Sequence, residues 1–570
     1  DSPQIDLKMT DIEKIVAADM FCNQCEQAAG PLGCTVKGVC GKEADTSAAQ
    51  DLIVQGCHVF GALCTALEAS AIKPEWLVVW AKACFTTLTN VSFDDDNLAE
   101  VARAVLIIVD AAKAALPADH PMLKECGEYA VPATTEGCVA EGRKYNQAKI
   151  YIEKYGLALG GLREFIMHGV KGLTAYADHV IHIEGTDRVF DALLGAARVL
   201  GKMQTVTDLD AGALLALALE IGEHNLAVIA ALDSTHVSTY GQPELTPVPL
   251  RPRPGKCIMI TGHDLKDLES LLVECDKHDI SVYTHGEMIP AHSYPVLKAH
   301  QSLHGNFGTA WQNQRKEFPA FPGPVLFTTN CIQMPKPSYI ERVFTTGRVA
   351  FPECQHLEYG QWTPLIESAL ACKGFDEVDC ESYPDESLLV GAHHNVVLGL
   401  AGKLLELVGE GKLKHFWFIG GCDGAKSGRN YFSKLADAVP DDHIILTGAC
   451  GRYRINRIKD YGDIDGIPRL LDVGQCNDVY SAIKIAVGLA GALDCGINEL
   501  PLSLVVSWYE QKAIVQLLTL LHLGLKNIKL GPSLPKCLSP EVVGVLVDAF
   551  GISLTDTKNV AADIAAVTGQ

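Results

Sequence analysis

The pattern Cys22-x2-Cys25-x8-Cys34-x5-Cys40 gathers four thiols into 19 residues near the start of the chain. Few features constrain a fold so tightly. A loop this short and this rich in glycine cannot build an apolar core, so its cysteines must close on a shared centre. A metal centre explains that clustering. Spacing alone leaves two kinds open, a structural zinc site and an iron–sulfur centre. The chain holds 20 cysteines in 570 residues. Disulfide-stapled secreted domains are small, so cysteines clustered in so long a chain read as metal ligands in a reducing compartment.

The length predicts three or four domains, because a single core stops growing well before this size. A net charge of -22 argues against nucleic acid, whose phosphates require a basic face. It favours solubility and basic redox partners. No uninterrupted apolar run reaches the roughly 18 residues of a membrane helix. The richest, 211–219, is too short, and no membrane insertion is expected. No secretory signal is visible, which makes cytoplasm the expected location. Met20-Phe21-Cys22 looks like a natural beginning. The residues before it read as an extension, a tag remnant or the remainder of a targeting peptide, and the last of these would place the protein in an organelle matrix or stroma.

The first part of the chain reads as helical bundles. Segment 50–71 carries Leu52, Ile53, Val59, Phe60, Leu63 and Leu67 at helical spacing, and 97–116, 149–170, 189–203 and 211–232 behave alike. Segment 242–255 holds five prolines and reads as a linker. After it the rhythm becomes strand, turn, helix. Strands are expected at 256–261, 281–284, 325–329, 415–419, 444–447, 470–473 and 502–507, with helix at 389–407. The polar, acidic stretch near 370–390 suggests a second boundary. The expected fold class is therefore α plus α/β and multidomain. A helical domain over 1–242 carries the cysteine loop, and two Rossmann-like α/β domains with mostly parallel sheets follow over 243–385 and 386–570.

Each of these strands runs into a potential ligand. In chain order they are His263, Glu287, Cys331, Cys422, Cys450, Cys476 and Glu510. Open α/β sheets bind ligands beyond the carboxyl ends of their strands, so groups far apart in sequence can converge there. Thiolates suit iron–sulfur centres, whereas imidazole and carboxylates leave a harder iron able to take water or a small substrate. Taken singly, each residue has a plainer reading. Cys422 could be a small buried residue in a glycine-rich turn, and His263 and Glu287 could be surface groups closing strand ends. Only their joint occurrence reverses this.

The blocks MFCNQCEQAAGPLGCTVKGVCGK from Met20, then TGHD, THGEM, TTNC, GGCDGAKSGRNYF, TGACGRYR, DVGQCND and SWYEQKA, in that order, resemble the hybrid-cluster protein family, also called prismane proteins or hydroxylamine reductases. The resemblance covers nearly the whole chain from Met20. It implies a 4Fe-4S cubane cluster on Cys22, Cys25, Cys34 and Cys40. It implies a hybrid 4Fe-2S-2O cluster between the domains, held by His263, Glu287, Cys331, Cys422, Cys450, Cys476 and Glu510. Cys422 matches the cysteine that carries a persulfide in oxidised members. Glu287, Cys422, Glu510 and the nearby Lys512 are the catalytic residues it implies, with Lys512 as a proton donor. The implied reactions are reduction of hydroxylamine to ammonia and water, and of nitric oxide to nitrous oxide. No dinucleotide fingerprint follows a strand, so electrons are expected from a separate ferredoxin-, rubredoxin- or NADH-oxidoreductase-like protein. Two rival readings are a nitric oxide or redox sensor that nitrosylates partner proteins, and a carbon monoxide dehydrogenase-like enzyme. The latter would use more cysteine and fewer carboxylate ligands.

Other motifs read as structural. Cys57 and Cys64 share a helix face and are expected in the core, and the remaining ten cysteines show no ligand pattern. His179 and His182 read as a satisfied surface pair. Gly424-Ala425-Lys426-Ser427 lacks the glycine a phosphate loop needs before its lysine.

Overall fold

The computed structural model describes residues 9–30 and 32–568. Residues 1–8, part of the segment expected to precede a natural start at Met20, lie outside it.

Helices occupy the chain from Met9 to Tyr240. Ala44–Ala66 is buried almost throughout, with Leu52, Ile53, Val59, Phe60 and Leu63 at its centre. Asp94 caps Asp95–Ala114 by accepting from the N–H groups of Asp96 and Asn97. Several helices here lie outside the expected segments, Thr135–Gly142 among them; the most buried is Pro74–Thr86, opened by proline at its first turn and packed through Trp76, Leu77 and Trp80. Two expected helices prove longer. The one expected at 149–170 runs as Gln147–Glu184, with a kink at Gly156. The one expected at 211–232 runs as Ala211–Tyr240. That helix is long and apolar enough to cross a membrane by length and composition, which the uninterrupted-run criterion overlooked. It packs between Gln147–Glu184 and Gln511–His522, and Asn225 donates to Thr519 Oγ1 at 2.9 Å. It is a core helix.

Two six-stranded sheets follow. In the first, spatial order runs Leu303–Asn306, Ser281–His285, Cys257–Thr261, Val325–Phe327, Val343–Thr346, Gln355–Leu357. In the second it runs Leu470–Asp472, His443–Thr447, His415–Gly421, Leu502–Ser507, Lys529–Gly531, Ser553–Leu554. Every pairing in both is parallel. Central strands such as Cys257–Thr261 and His443–Thr447 are buried on both faces, which is why they read as unbroken apolar runs.

The proline-rich segment is not a free linker. Thr246–Pro249 pairs antiparallel with Ser387–Val390, so the two expected boundaries are strapped together. Prolines are tolerated there because the ribbon has only two strands. The same pairing corrects the helix expected over 389–407. Leu388 and Val390 are buried in strand alternation, and helix begins only with His394–Gly399 and Ala401–Gly409.

Candidate metal centres

The N-terminal cysteines are set by one backbone exchange. Cys22 N–H donates to Cys34 C=O at 3.0 Å and Cys34 N–H to Cys22 C=O at 2.8 Å. A Cβ on Gly33 would come within 2.7 Å of the Cys22 carbonyl oxygen, so the crossing needs glycine. Ala29 N–H points at Cys34 Sγ, 3.2 Å away. Burial pushes the Cys25 thiol well up, and the sulfurs of Cys22, Cys40 and Cys34 add to it. The four sulfurs therefore share one volume. Burial also works on Cys22, but the Lys42 ammonium and Gln24 outweigh it and hold that thiol below its usual range. All 20 cysteines are free.

The second set converges where the carboxyl ends of the two sheets face each other. The atoms His263 Nε2, Glu287 Oε2 and Cys476 Sγ fall in one group whose members lie within 4.8 Å of each other. His263 Nδ1 lies 2.7 Å from Thr329 Oγ1, which turns Nε2 toward Glu287 Oε2 at 3.8 Å. Burial, with Lys512 assisting, holds His263 well below the usual imidazole range, so it offers a neutral lone pair. Cys331, Cys422 and Cys450 are each pushed well up, by burial first and then by neighbouring carboxylates and thiols of the same set. Burial raises Glu510 to about 7 against the pull of Lys512. His263 and Glu287 are 4% and 5% exposed, so neither is a surface group.

The turns are built for this convergence. Gly421, before Cys422, has φ 109°, and a Cβ there would lie 2.2 Å from Ser507 C=O. Cys331 and Ala449, the latter just before Cys450, hold positive φ without being glycine, strain that the surrounding structure must maintain. Glu510 caps the helix Gln511–His522 by accepting from Lys512 N–H at 2.8 Å. Lys512 Nζ donates to Asn330 Oδ1 at 2.6 Å and lies over the rings of Phe85 and Tyr176.

Several supporting residues were missed in the sequence. Arg452, fully buried, donates to Asp472 Oδ2 at 2.9 Å and lies 3.9 Å from Glu287 Oε1. Gln475 Nε2 donates to the carbonyls of both His263 and Glu287. Tyr509 stacks on Trp311 with centroids 4.2 Å apart. Its hydroxyl feels Cys25 and Cys40 from one cysteine set and Cys331 and Glu510 from the other, so it stands between the two centres. Arg452, Gln475 and Tyr509 all fall inside the sequence blocks that carry the ligands, which was the only available signal. His179 and His182 also differ from expectation. Both direct Nδ1 at Asp264 Oδ2, each at 3.1 Å, and His179 is buried.

The residues fit polynuclear metal centres. The second set concentrates four thiols and two carboxylates in a buried volume where Arg452 and Lys512 are the cations acting on them, and Glu287 Oε1 has no hydrogen-bond partner. Ionised as metal ligands, such a set would be uncompensated without bound cations.

The model of the Prismane/CO dehydrogenase family matches residues 20–565. The chain belongs to this family. Among its relatives, the hydroxylamine reductase of Solidesulfovibrio magneticus is 44% identical over 554 residues, 96% of this chain and 100% of the relative. That of Maridesulfovibrio salexigens is 45% identical over 558 residues, again 96% and 100%. Carbon monoxide dehydrogenase IV from Carboxydothermus hydrogenoformans superposes with a TM-score of 0.54 at 16% identity, covering 97% of this prismane-family chain and 93% of that one. That likeness is one of fold.

Proposed function

We propose that this chain is an iron–sulfur oxidoreductase that reduces hydroxylamine: NH2OH + 2 e− + 2 H+ → NH3 + H2O. In this reading Cys22, Cys25, Cys34 and Cys40 hold a 4Fe-4S cubane. His263, Glu287, Cys331, Cys422, Cys450, Cys476 and Glu510 hold a hybrid 4Fe-2S-2O cluster. The observation that carries it is the convergence of strand-end side chains: His263, Glu287 and Cys476 lie within 4.8 Å of one another, and Cys331, Cys422, Cys450 and Glu510 act electrostatically on the same group. The identity of relatives named hydroxylamine reductase supports the substrate. Two carboxylates in the set favour this reading over a carbon monoxide dehydrogenase centre.

Bound there, the hybrid cluster would supply Lewis-acidic, electron-donating iron to a small N–O compound. The chain supplies the protons. Glu510 and the Lys512 ammonium beside it are placed to donate as N–O cleavage forms water and ammonia. His263, Glu287, Cys450 and Glu510 are buried and the other three cysteines half-buried, which limits the access of bulk water. Electrons from a separate donor protein would enter at the N-terminal loop, where Val36 and Val39 are 83% and 57% exposed, and Tyr509 lies on the way inward.

The test is iron and acid-labile sulfide on anaerobically purified protein, followed by hydroxylamine-dependent oxidation of reduced methyl viologen. About eight irons with distinctly fewer sulfides are expected, with steady turnover. Glu510→Ala should keep the cubane signal and lose turnover. Equal iron and sulfide near four, or full turnover in that variant, would refute the reading.

A further inference from the structure

Behind Cys22, between the helices Ala44–Ala66 and Gln147–Glu184, lies a cavity of about 40 Å³, large enough for water. It is lined by two cations and two carboxylates, Lys42, Asp51, Glu164 and Lys171. Lys42, Glu164 and Lys171 are 6%, 7% and 5% exposed, and Asp51 is the least buried of the four. Nothing in the proposed reduction of hydroxylamine uses them.

Their contacts are unusual for buried charges. Among the described residues neither lysine forms a direct ion pair with a carboxylate, and Lys42 also faces the Cys22 sulfur. Lys42 Nζ donates to Gln50 Oε1 at 3.0 Å, and Lys171 Nζ to Gln24 Oε1 at 2.6 Å. Asp51 Oδ2 accepts from Asn146 at 2.8 Å. Glu164 Oε1 has no hydrogen-bond partner, and its Oε2 lies 3.8 Å from His168 Nε2, a ring that burial keeps neutral down to about 3. A buried carboxylate held this loosely is ready to carry a proton.

The lysines link this cavity to the cysteines. Lys42 feels Cys22 and Cys40 on one side and Asp51 on the other. Lys171 feels Glu164, Cys22 and Asp51 together. The other groups facing the pair are few. Lys149 adds to the positive field at Asp51. Tyr151 and Cys537 face Glu164, and burial holds both neutral. Burial raises each carboxylate to about 7, opposed first by Lys42 at Asp51 and by Lys171 at Glu164.

We propose that Asp51 and Glu164 form a proton-uptake site for the N-terminal centre, so that each electron entering the centre on Cys22, Cys25, Cys34 and Cys40 brings one proton from solvent onto this carboxylate pair. The inference rests on the reading of those cysteines as a redox-active cubane. One negative charge added at the sulfurs draws on the two lysines, weakens their hold on the carboxylates and raises the carboxylates' proton affinity. The step balances as oxidised centre plus one electron plus one proton, giving reduced centre and one neutral carboxyl. Asp51, the more accessible, is the entry, and Glu164 is the interior acceptor. Charge is thereby kept constant in a buried region where an unbalanced charge is costly.

The experiment is an EPR-monitored redox titration of the anaerobic holoprotein with dithionite, from about pH 6 to about pH 8. The cubane midpoint is expected to fall as pH rises, most steeply above pH 7, where the carboxylates are ionised beside the oxidised centre and protonated beside the reduced one. The slope should approach the about 59 mV that a tenfold change in proton concentration is worth to a one-electron couple. Asp51→Asn and Glu164→Gln should each flatten it, and the double variant should abolish it while leaving the hybrid-centre midpoint in place. A flat wild-type midpoint, or a slope surviving in the double variant, overturns the inference while the cubane reading stands. Absence of a cubane signal and of its iron overturns both. If the double variant does not fold, the redox-difference infrared spectrum of the wild-type protein decides. A protonated-carboxyl band gained on reduction supports the proposal, and its absence refutes it.

Discussion

Arg429 is fully buried and ties three segments with one guanidinium. It donates to Glu26 Oε2 at 2.7 Å, to Trp508 C=O at 2.6 Å and to Cys422 C=O at 3.0 Å. The first segment belongs to the N-terminal cysteine loop and the other two to strand ends of the second sheet. Arg429→Met would leave Glu26 buried and unpaired, at a cost of about 3–5 kcal/mol. Adding Glu26→Gln should recover part of it. Denaturant unfolding of the two single variants and the double variant measures the coupling, and additive losses would show that the pair does not matter. Lys512→Gln tests the chemistry instead. It should leave iron content unchanged and lower hydroxylamine turnover about 100-fold or more, the range of a lost proton donor. Turnover near wild type would remove Lys512 from the mechanism. At this scale the ligands were legible because thiols, imidazole and carboxylates announce their chemistry. Arg429 and Arg452 were not, because a buried arginine looks in sequence like any surface cation.

The strand-to-ligand turn is the repeated element of the molecule. Strands buried on both faces read as apolar runs that stop at glycine, so His415–Gly421 and Leu502–Ser507 could be placed to within a few residues. Gly421→Ala should strain the backbone by about 1–3 kcal/mol and drive the new methyl toward Ser507 C=O. A lower thermal midpoint and loss of the hybrid-centre EPR signal are expected, with the cubane signal retained. An unaltered hybrid signal would show that the turn tolerates displacement. Helix ends were less legible. Gln147–Glu184 continues through the kink at Gly156, and Ala211–Tyr240 is buried along a stripe that includes His236 and Tyr240. Tertiary packing, not local propensity, sets those lengths.

Across the whole molecule, the helix Gln511–His522 starts at Glu510 and is clasped by Gln147–Glu184 and Ala211–Tyr240. The helical half thereby fixes a proposed ligand of the α/β half. Leu518→Ala, at a fully buried position of that helix, should cost about 2–5 kcal/mol, read as a lower denaturation midpoint with unchanged slope. No change would mean the helix is held elsewhere. The donor chemistry of the proposed ligands, their order and their position at strand ends could be read from the chain alone, because residue type and apolar periodicity are local properties. Which groups meet follows from the folded chain. Glu26 and Arg429 are 403 positions apart, and Lys42, Asp51, Glu164 and Lys171 come from one loop and two helices. Sequence carries no distance between such groups. Their ionisation, and the function proposed for them, follows from burial and charge proximity that exist only once the chain has folded.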